Sequence, residues 1–185
     1  MVFLKKLKQV KLNKLFSVLL LLAVVLNTAP AQQPAFWNDI AAFKKQDSAA
    51  FPGTGKILFV GSSSFTKWTD VQDYFPNHPI INRGFGGSTL PDVIRYENDV
   101  IFPYQPKQIV IYCGENDVAA DTTTSGVIVF ERFKKLFTDI RTKLPGVPVI
   151  FVSLKPSPSR WHMRARSMEA NRLIKKYLKR KKHTK

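Results

Sequence analysis

Three short polar segments follow apolar runs in this chain, and together they hold the residue types needed for acyl transfer to a serine. A serine hydroxyl can act as a nucleophile, while a glycine backbone N–H and an asparagine amide can stabilise an oxyanion. Ligands of open α/β sheets bind outside the carboxyl ends of the strands, so segments at those ends can meet at one site. The segments are residues 61–64 (Gly-Ser-Ser-Ser) after the run 57–60, residues 82–88 (Asn-Arg-Gly-Phe-Gly-Gly-Ser) after 79–81, and residues 114–117 (Gly-Glu-Asn-Asp) after 109–112.

Each segment also has an interpretation without catalysis. Serines at a strand-to-helix turn are preferred helix N-caps, closely spaced glycines suit a tight turn with positive φ, and Asn116-Asp117 suits an Asx turn. Two other chemistries do not fit, because Phe65 breaks a Gly-x-Ser-x-Gly elbow and Thr89 breaks a Gly-x-Gly-x-x-Gly dinucleotide motif. The order of the three segments therefore carries more information than any one of them.

The elements that must position these segments alternate between strand and helix. Such alternation predicts a parallel sheet covered by helices on both faces, which is a three-layer α/β/α sandwich. The fourth strand is expected to be a sheet edge, because a fifth strand would follow only after the last helix. Continuous apolar runs predict strands at residues 57–60, 80–81, 109–113 and 149–154, and apolar residues at helical spacing predict helices at 36–43, 89–101, 125–144 and 161–178.

The net charge of +16 is concentrated at the two ends of the chain. Residues 32–154 carry 12 basic and 12 acidic side chains, whereas residues 155–185 carry 12 basic side chains and a single acid, Glu169. A basic surface for an acidic partner is one interpretation of the last helix and tail, and a solvated helix face is the other. The neutral central part gives no reason to expect a nucleic-acid partner.

Residues 1–31 have the features of a cleaved signal peptide. Five lysines precede an apolar stretch at 15–26, and Ala29-Pro30-Ala31 suits a cleavage site. The expected mature domain, residues 32–185, would be exported to the periplasm or secreted. A retained membrane anchor is the alternative, although the stretch is shorter than the roughly 20 residues that a spanning helix needs. Cys113 is the single cysteine, so no internal disulfide forms, and burial as a small hydrophobe is expected.

In wording and order, the three segments resemble the SGNH or GDSL-type hydrolase family, especially its exported bacterial members similar to platelet-activating-factor acetylhydrolase subunits. The resemblance covers about residues 36–182 and implies a flavodoxin-like fold and ester hydrolysis through an acyl-serine. It implies that Ser63 is the nucleophile, with its own N–H facing the oxyanion, and that Gly87 and Asn116 are the other oxyanion donors. Ser62 stands where the family has aspartate.

The family's last segment, Asp-x-x-His, supplies the general base and the carboxylate that orients it, and this sequence does not contain it. None of the histidines at positions 78, 162 and 183 has an aspartate three residues earlier. We expect a C-terminally truncated domain with impaired hydrolysis of a small ester or an acetylated carbohydrate or lipid. A non-catalytic domain that binds acyl or glycan ligands is the alternative, and His162 is the remaining candidate base. No metal or cofactor is expected, because histidine, cysteine and carboxylate residues do not occur at ligand spacing.

Overall fold

The computed structural model describes residues 33–185, within which one folded unit spans Ala35–Lys185. The predicted signal peptide lies outside the described residues. Among the described residues, four strands form one parallel sheet in the order β2-β1-β3-β4. The strands are β1 (Ile57–Gly61), β2 (Ile80–Gly84), β3 (Gln108–Tyr112) and β4 (Val149–Phe151).

Helices occupy the connections between these strands. The first turn of one long helix is held by a capping box, in which Asp92 accepts from the backbone N–H and the hydroxyl of Thr89 at 2.9 and 2.6 Å. The helices are α1 (Trp37–Ala49), α2 (Ser63–Thr66), α3 (Val71–Tyr74), α4 (Leu90–Val100), α5 (Glu115–Ala120), α6 (Gly126–Lys143) and α7 (Arg164–Leu178), with 3-10 turns at Phe102–Tyr104 and Pro158–Met163.

The two faces of the sheet carry separate apolar cores. Successive strand side chains point to opposite faces, so Leu58 and Val60 enter the larger core, which the long helices cover. Phe59 enters a smaller core with Phe65 of α2, at 4.9 Å between ring centroids. Cores on both faces explain why the strands read as continuous apolar runs. The three-layer α/β/α prediction is confirmed.

The fourth strand is shorter than predicted and its outer edge is not open. It ends at Phe151, and residues 183–185 lie parallel to it. The N–H of Val149 donates to the His183 carbonyl at 2.9 Å, and the N–H of Lys185 donates to the Val149 carbonyl at 3.0 Å. The expectation of an unpaired edge at β4 was therefore wrong, because the tail contributes backbone hydrogen bonds there.

The predicted last helix is divided in two. Its first three residues, 161–163, belong to the 3-10 turn Pro158–Met163, in which Arg160 has non-helical φ and ψ of −121° and 24°. The regular helix α7 begins only at Arg164. Among residues 33–185, none of the helices combines the length and the apolar character that a membrane span requires.

Candidate active site

The serine turn begins where β1 and β3 come very close together. Gly61 ends β1 with φ +141°, and a Cβ added there would lie 2.0 Å from the carbonyl oxygen of Tyr112. Only glycine therefore allows the two strand ends to pack at this distance. The N–H of Ser62 then donates to the same Tyr112 carbonyl at 3.1 Å, which fixes the turn before α2 begins at Ser63.

The three consecutive serines have different surroundings. Ser62 is buried at the N-cap of α2. The hydroxyl of Ser64 accepts from the ammonium group of Lys155 at 3.3 Å. Ser63 is partly exposed, and within residues 33–185 its hydroxyl has no hydrogen-bond partner. Of the three, Ser63 is the serine whose hydroxyl is available to a ligand.

Asn82 ties the serine helix to β2. Its amide nitrogen donates to the carbonyls of Phe65 at 2.7 Å and Trp68 at 3.3 Å. Its amide oxygen accepts from the N–H of Gly84 at 3.0 Å. These bonds tie the C-terminal end of α2 and the turn after it to β2, while the N-terminal end of α2 follows directly from β1. The sequence places Asn82 in the second segment but does not show this clamp.

The glycine turn after β2 lies beside the serine turn. A Cβ added at Gly86 would be 4.0 Å from the Cβ of Ser63, so these two residues are neighbours. Gly87 is exposed and has φ +88°, a conformation that favours glycine. This φ agrees with the tight-turn interpretation. The role of the Gly87 N–H as an oxyanion donor remains a prediction.

Ser88 joins all three predicted segments, and its importance was not foreseen from the sequence. It is completely buried, and its hydroxyl donates to the Gly61 carbonyl at 3.2 Å. Its own carbonyl accepts from the amide nitrogen of Asn116 at 3.0 Å. Ser88 thereby connects the ends of β1, β2 and β3. Its position directly after the glycine pair was the only signal available.

Asn116 is nearly buried in α5 and its amide is bound on both sides. The nitrogen donates to the Ser88 carbonyl, and the oxygen accepts from the Arg160 guanidinium at 3.1 Å. The same guanidinium lies 3.2 Å from the Glu115 carboxylate, which accepts from the hydroxyl of Tyr112 at 2.9 Å. Burial, followed by this hydrogen bond to Glu115, raises the pKa of Tyr112 to about 12.

Asp117 follows Asn116 in α5 and joins this helix to its neighbours. Its buried carboxylate accepts from the N–H of Leu90 and from Arg132, both at 2.9 Å, and so connects α5 to α4 and α6. Burial raises the pKa of Asp117 in spite of these bonds, which act in the opposite direction. Its contacts are those of a residue that positions helices.

Of the remaining candidates from the sequence, Cys113 contacts this cluster, since its thiol donates to the Ser88 carbonyl at 3.6 Å, whereas His162 does not join it. His162 is exposed in the Pro158–Met163 turn, and no hydrogen bond joins it to Ser63 in residues 33–185. Cys113 is completely buried, as predicted, and burial raises its pKa well above the usual range. No group of three or more histidine, cysteine and acidic residues in the described chain is placed to hold a metal ion.

The predicted site residues come from three adjacent strands. Ser63 follows β1, Gly87 follows β2 and Asn116 follows β3, and β1 lies between the other two in the sheet. Arg160 reaches the same place from the turn after β4. The arrangement can place a hydroxyl, backbone N–H groups and an amide around one carbonyl group of a substrate.

Comparison with known proteins places this architecture in a known group. A Streptococcus pneumoniae protein named for platelet activating factor superposes with a TM-score of 0.67 at 13% identity, over 92% of this chain and 78% of its own. A GDSL-like lipase from Bacteroides thetaiotaomicron superposes with a TM-score of 0.62 at 24% identity, over 76% of this chain and 73% of its own. An acetylxylan esterase from Geobacillus stearothermophilus superposes with a TM-score of 0.51 at 16% identity, over 69% of this chain and 73% of its own. At these identities the similarity shows the fold alone. No match is found among curated proteins. A sequence model of GDSL-like lipases and acylhydrolases matches residues 47–184, and this chain therefore belongs to the GDSL-like lipase/acylhydrolase family.

Proposed function

We propose that this chain carries the nucleophile and the oxyanion donors of a serine ester hydrolase. The observation that supports it best is the difference among the three serines, since Ser63 alone combines partial exposure with a hydroxyl that has no partner within residues 33–185. It lies beside the glycine turn, and it follows β1, which is the strand next to β3 that leads to Asn116. A nucleophile needs this accessibility, whereas an N-cap does not.

In the proposed reaction, the Ser63 oxygen forms a bond to the carbonyl carbon of a small ester. The hydroxyl proton passes to a base, and the carbonyl oxygen becomes an oxyanion near the N–H groups of Ser63 and Gly87 and the amide of Asn116. Collapse of this intermediate breaks the bond to the alcohol, which leaves protonated, and water then releases the acid from the acyl-serine.

The general base of this mechanism is not assigned, because residues 32–185 do not contain the Asp-x-x-His segment that supplies it in the family. Without a base, Ser63 remains a neutral hydroxyl and a weak nucleophile. We therefore expect residues 32–185 to hydrolyse short chromogenic esters slowly or not at all, since oxyanion donors alone leave about 1,000-fold or somewhat more over water in a comparable triad enzyme. Full activity on such esters would contradict this expectation and make His162 the first base to substitute.

The nucleophile assignment is tested with an excess of an alkyl fluorophosphonate, which forms a P–O bond to the serine oxygen as the P–F bond breaks, fluoride leaves and the hydroxyl proton passes to solvent. Long incubation makes the labelling visible even where no base assists it and the reaction is slow. Intact mass and peptide mapping report which serine reacts. Labelling is expected on Ser63, abolished in Ser63→Ala and largely retained in the matched controls Ser62→Ala and Ser64→Ala. Labelling that survives in Ser63→Ala and disappears in Ser64→Ala would refute the assignment.

A binding domain without catalysis is the second candidate, because membership of a fold family does not by itself establish catalysis. It predicts no labelling of any serine together with saturable binding of acetylated xylan or an acyl ligand, measured by calorimetry. The substrate range proposed here, small acyl esters including acetylated carbohydrate, is supported by the acetylxylan esterase among the structural neighbours. Export through residues 1–31 is part of the proposal and is tested by sequencing the N-terminus of the mature protein, which is expected to begin at Gln32.

A further inference from the structure

Arg160 makes contacts at the candidate site that the family resemblance did not assign. Its guanidinium reaches from the Pro158–Met163 turn to the amide oxygen of Asn116, at 3.1 Å, and to the carboxylate of Glu115, at 3.2 Å. The side chain is about one third exposed. The contact joins the turn after β4 to a buried amide that follows β3, so its role at the site requires an explanation.

The two partners of Asn116 leave its amide only one orientation. The Ser88 carbonyl can only accept a hydrogen bond, so the amide nitrogen must face it. The Arg160 guanidinium can only donate, so the amide oxygen must face Arg160. The nitrogen carries two hydrogens, and within the described chain the second hydrogen has no protein acceptor. That second hydrogen is the one that an oxyanion would use.

We propose that Arg160 is a positioning residue that holds the Asn116 amide with its free N–H directed at the oxyanion, an inference that rests on the proposed function. A cation on the amide oxygen also draws electron density from the nitrogen, which makes the N–H a stronger donor. Glu115 supports the guanidinium from the other side and is itself held by the hydroxyl of Tyr112. Without Arg160, the Ser88 carbonyl alone would hold the amide, and its second N–H would be less firmly directed at the oxyanion.

The competing explanation is that Arg160 only anchors its own turn to α5. Under that explanation its loss would lower stability and disturb the turn, while the Asn116 amide would stay as it is. Arg164 provides the matched control, because it is an exposed arginine next to the same turn. Its guanidinium lies 5.1 Å from the Trp161 ring centroid, and within residues 33–185 the hydrogen bond to the Asn116 oxygen comes from Arg160.

The first measurement is a double-mutant cycle on the second-order rate of fluorophosphonate labelling at Ser63. Arg160→Gln should slow labelling about 3- to 10-fold in the native background, which is in the range of coupling between residues in contact. It should have no further effect in Asn116→Ala, and Arg164→Gln should have none in either background. An equal loss in both backgrounds, or no loss from Arg160→Gln, would overturn the inference.

The second measurement does not depend on reactivity. The steady-state ¹H–¹⁵N NOE of the Asn116 side-chain amide, assigned with Asn116→Ala, should fall in Arg160→Gln and stay unchanged in Arg164→Gln. The amide of Asn171, which pairs with both backbone groups of Leu154 at 2.8 and 2.9 Å, serves as the internal reference. An unchanged Asn116 NOE in Arg160→Gln would overturn the inference. If no serine is labelled in any protein, the proposed function fails, and the NOE alone decides whether Arg160 holds the amide.

Discussion

Asn82 gives the most direct test of how the fold positions the nucleophile. Its side chain makes hydrogen bonds of 2.7 and 3.3 Å to the carbonyls of Phe65 and Trp68, and one of 3.0 Å from the N–H of Gly84. At a net 0.5–1.5 kcal/mol or so for each bond, with the longest counted as weak, Asn82→Ala should lower the free energy of unfolding by about 2 kcal/mol. The far end of α2 would then be free to move, and Ser63 with it.

Asn82→Asp separates the contribution of hydrogen bonding from that of side-chain volume. The carboxylate has nearly the size of the amide and still accepts from Gly84, but it sets a second oxygen against the Phe65 carbonyl. At pH 7 we expect this variant to be at least as unstable as Asn82→Ala. Because a protonated carboxyl can donate to Phe65, its deficit should shrink as the pH falls towards about 4.5.

Urea unfolding measures these differences, with Asn98→Ala as the control. Asn98 is exposed and accepts one bond, from Lys143, so its removal should change stability by less than about 0.5 kcal/mol. Fluorophosphonate labelling of Ser63 should slow in Asn82→Ala and not in Asn98→Ala. If Asn82→Ala is as stable as the control, or is destabilised while Ser63 reacts at the native rate, the clamp does not position the nucleophile.

Two further predictions concern the oxyanion and alkaline pH. Asn116→Ala should lower the labelling rate of Ser63 about 100-fold or more, because the amide acts where negative charge develops. In any form active enough for steady-state kinetics, kcat should fall by a larger factor than KM rises. A raised KM at unchanged kcat would instead assign Asn116 to substrate binding. The folded protein keeps the phenolic proton of Tyr112, with its pKa of about 12, at a pH where the unfolded chain releases it, so stability should fall as the pH rises from about 10 towards 12. Urea unfolding at several alkaline pH values should show a shallower decline for Tyr112→Phe, and equal slopes would mean that Tyr112 titrates normally.

The backbone of this fold was largely predictable, because its signals are local. Continuous apolar runs gave the strands within a few residues. The predicted helix start at Thr89 agrees with α4, which begins at Leu90 behind a capping box formed by residues three apart. Two local signals misled. The apolar run after Val149 outlasts the strand, which ends at Phe151. Helical spacing from Trp161 onwards did not show that residues 161–163 belong to a 3-10 turn and that α7 begins only at Arg164.

The contacts at the site were less predictable, because they join residues far apart in sequence that no periodic pattern connects. Ser88 and Asn116 are 28 residues apart and Arg160 is 44 beyond Asn116. Each of these bonds satisfies a buried polar group, and leaving any of them unmade would cost about 1–3 kcal/mol. The fold can therefore bring the strand ends together only when these side chains have the right hydrogen-bonding types. A sequence shows those types one at a time, while the pairing that makes Asn116 a directed donor exists only in three dimensions.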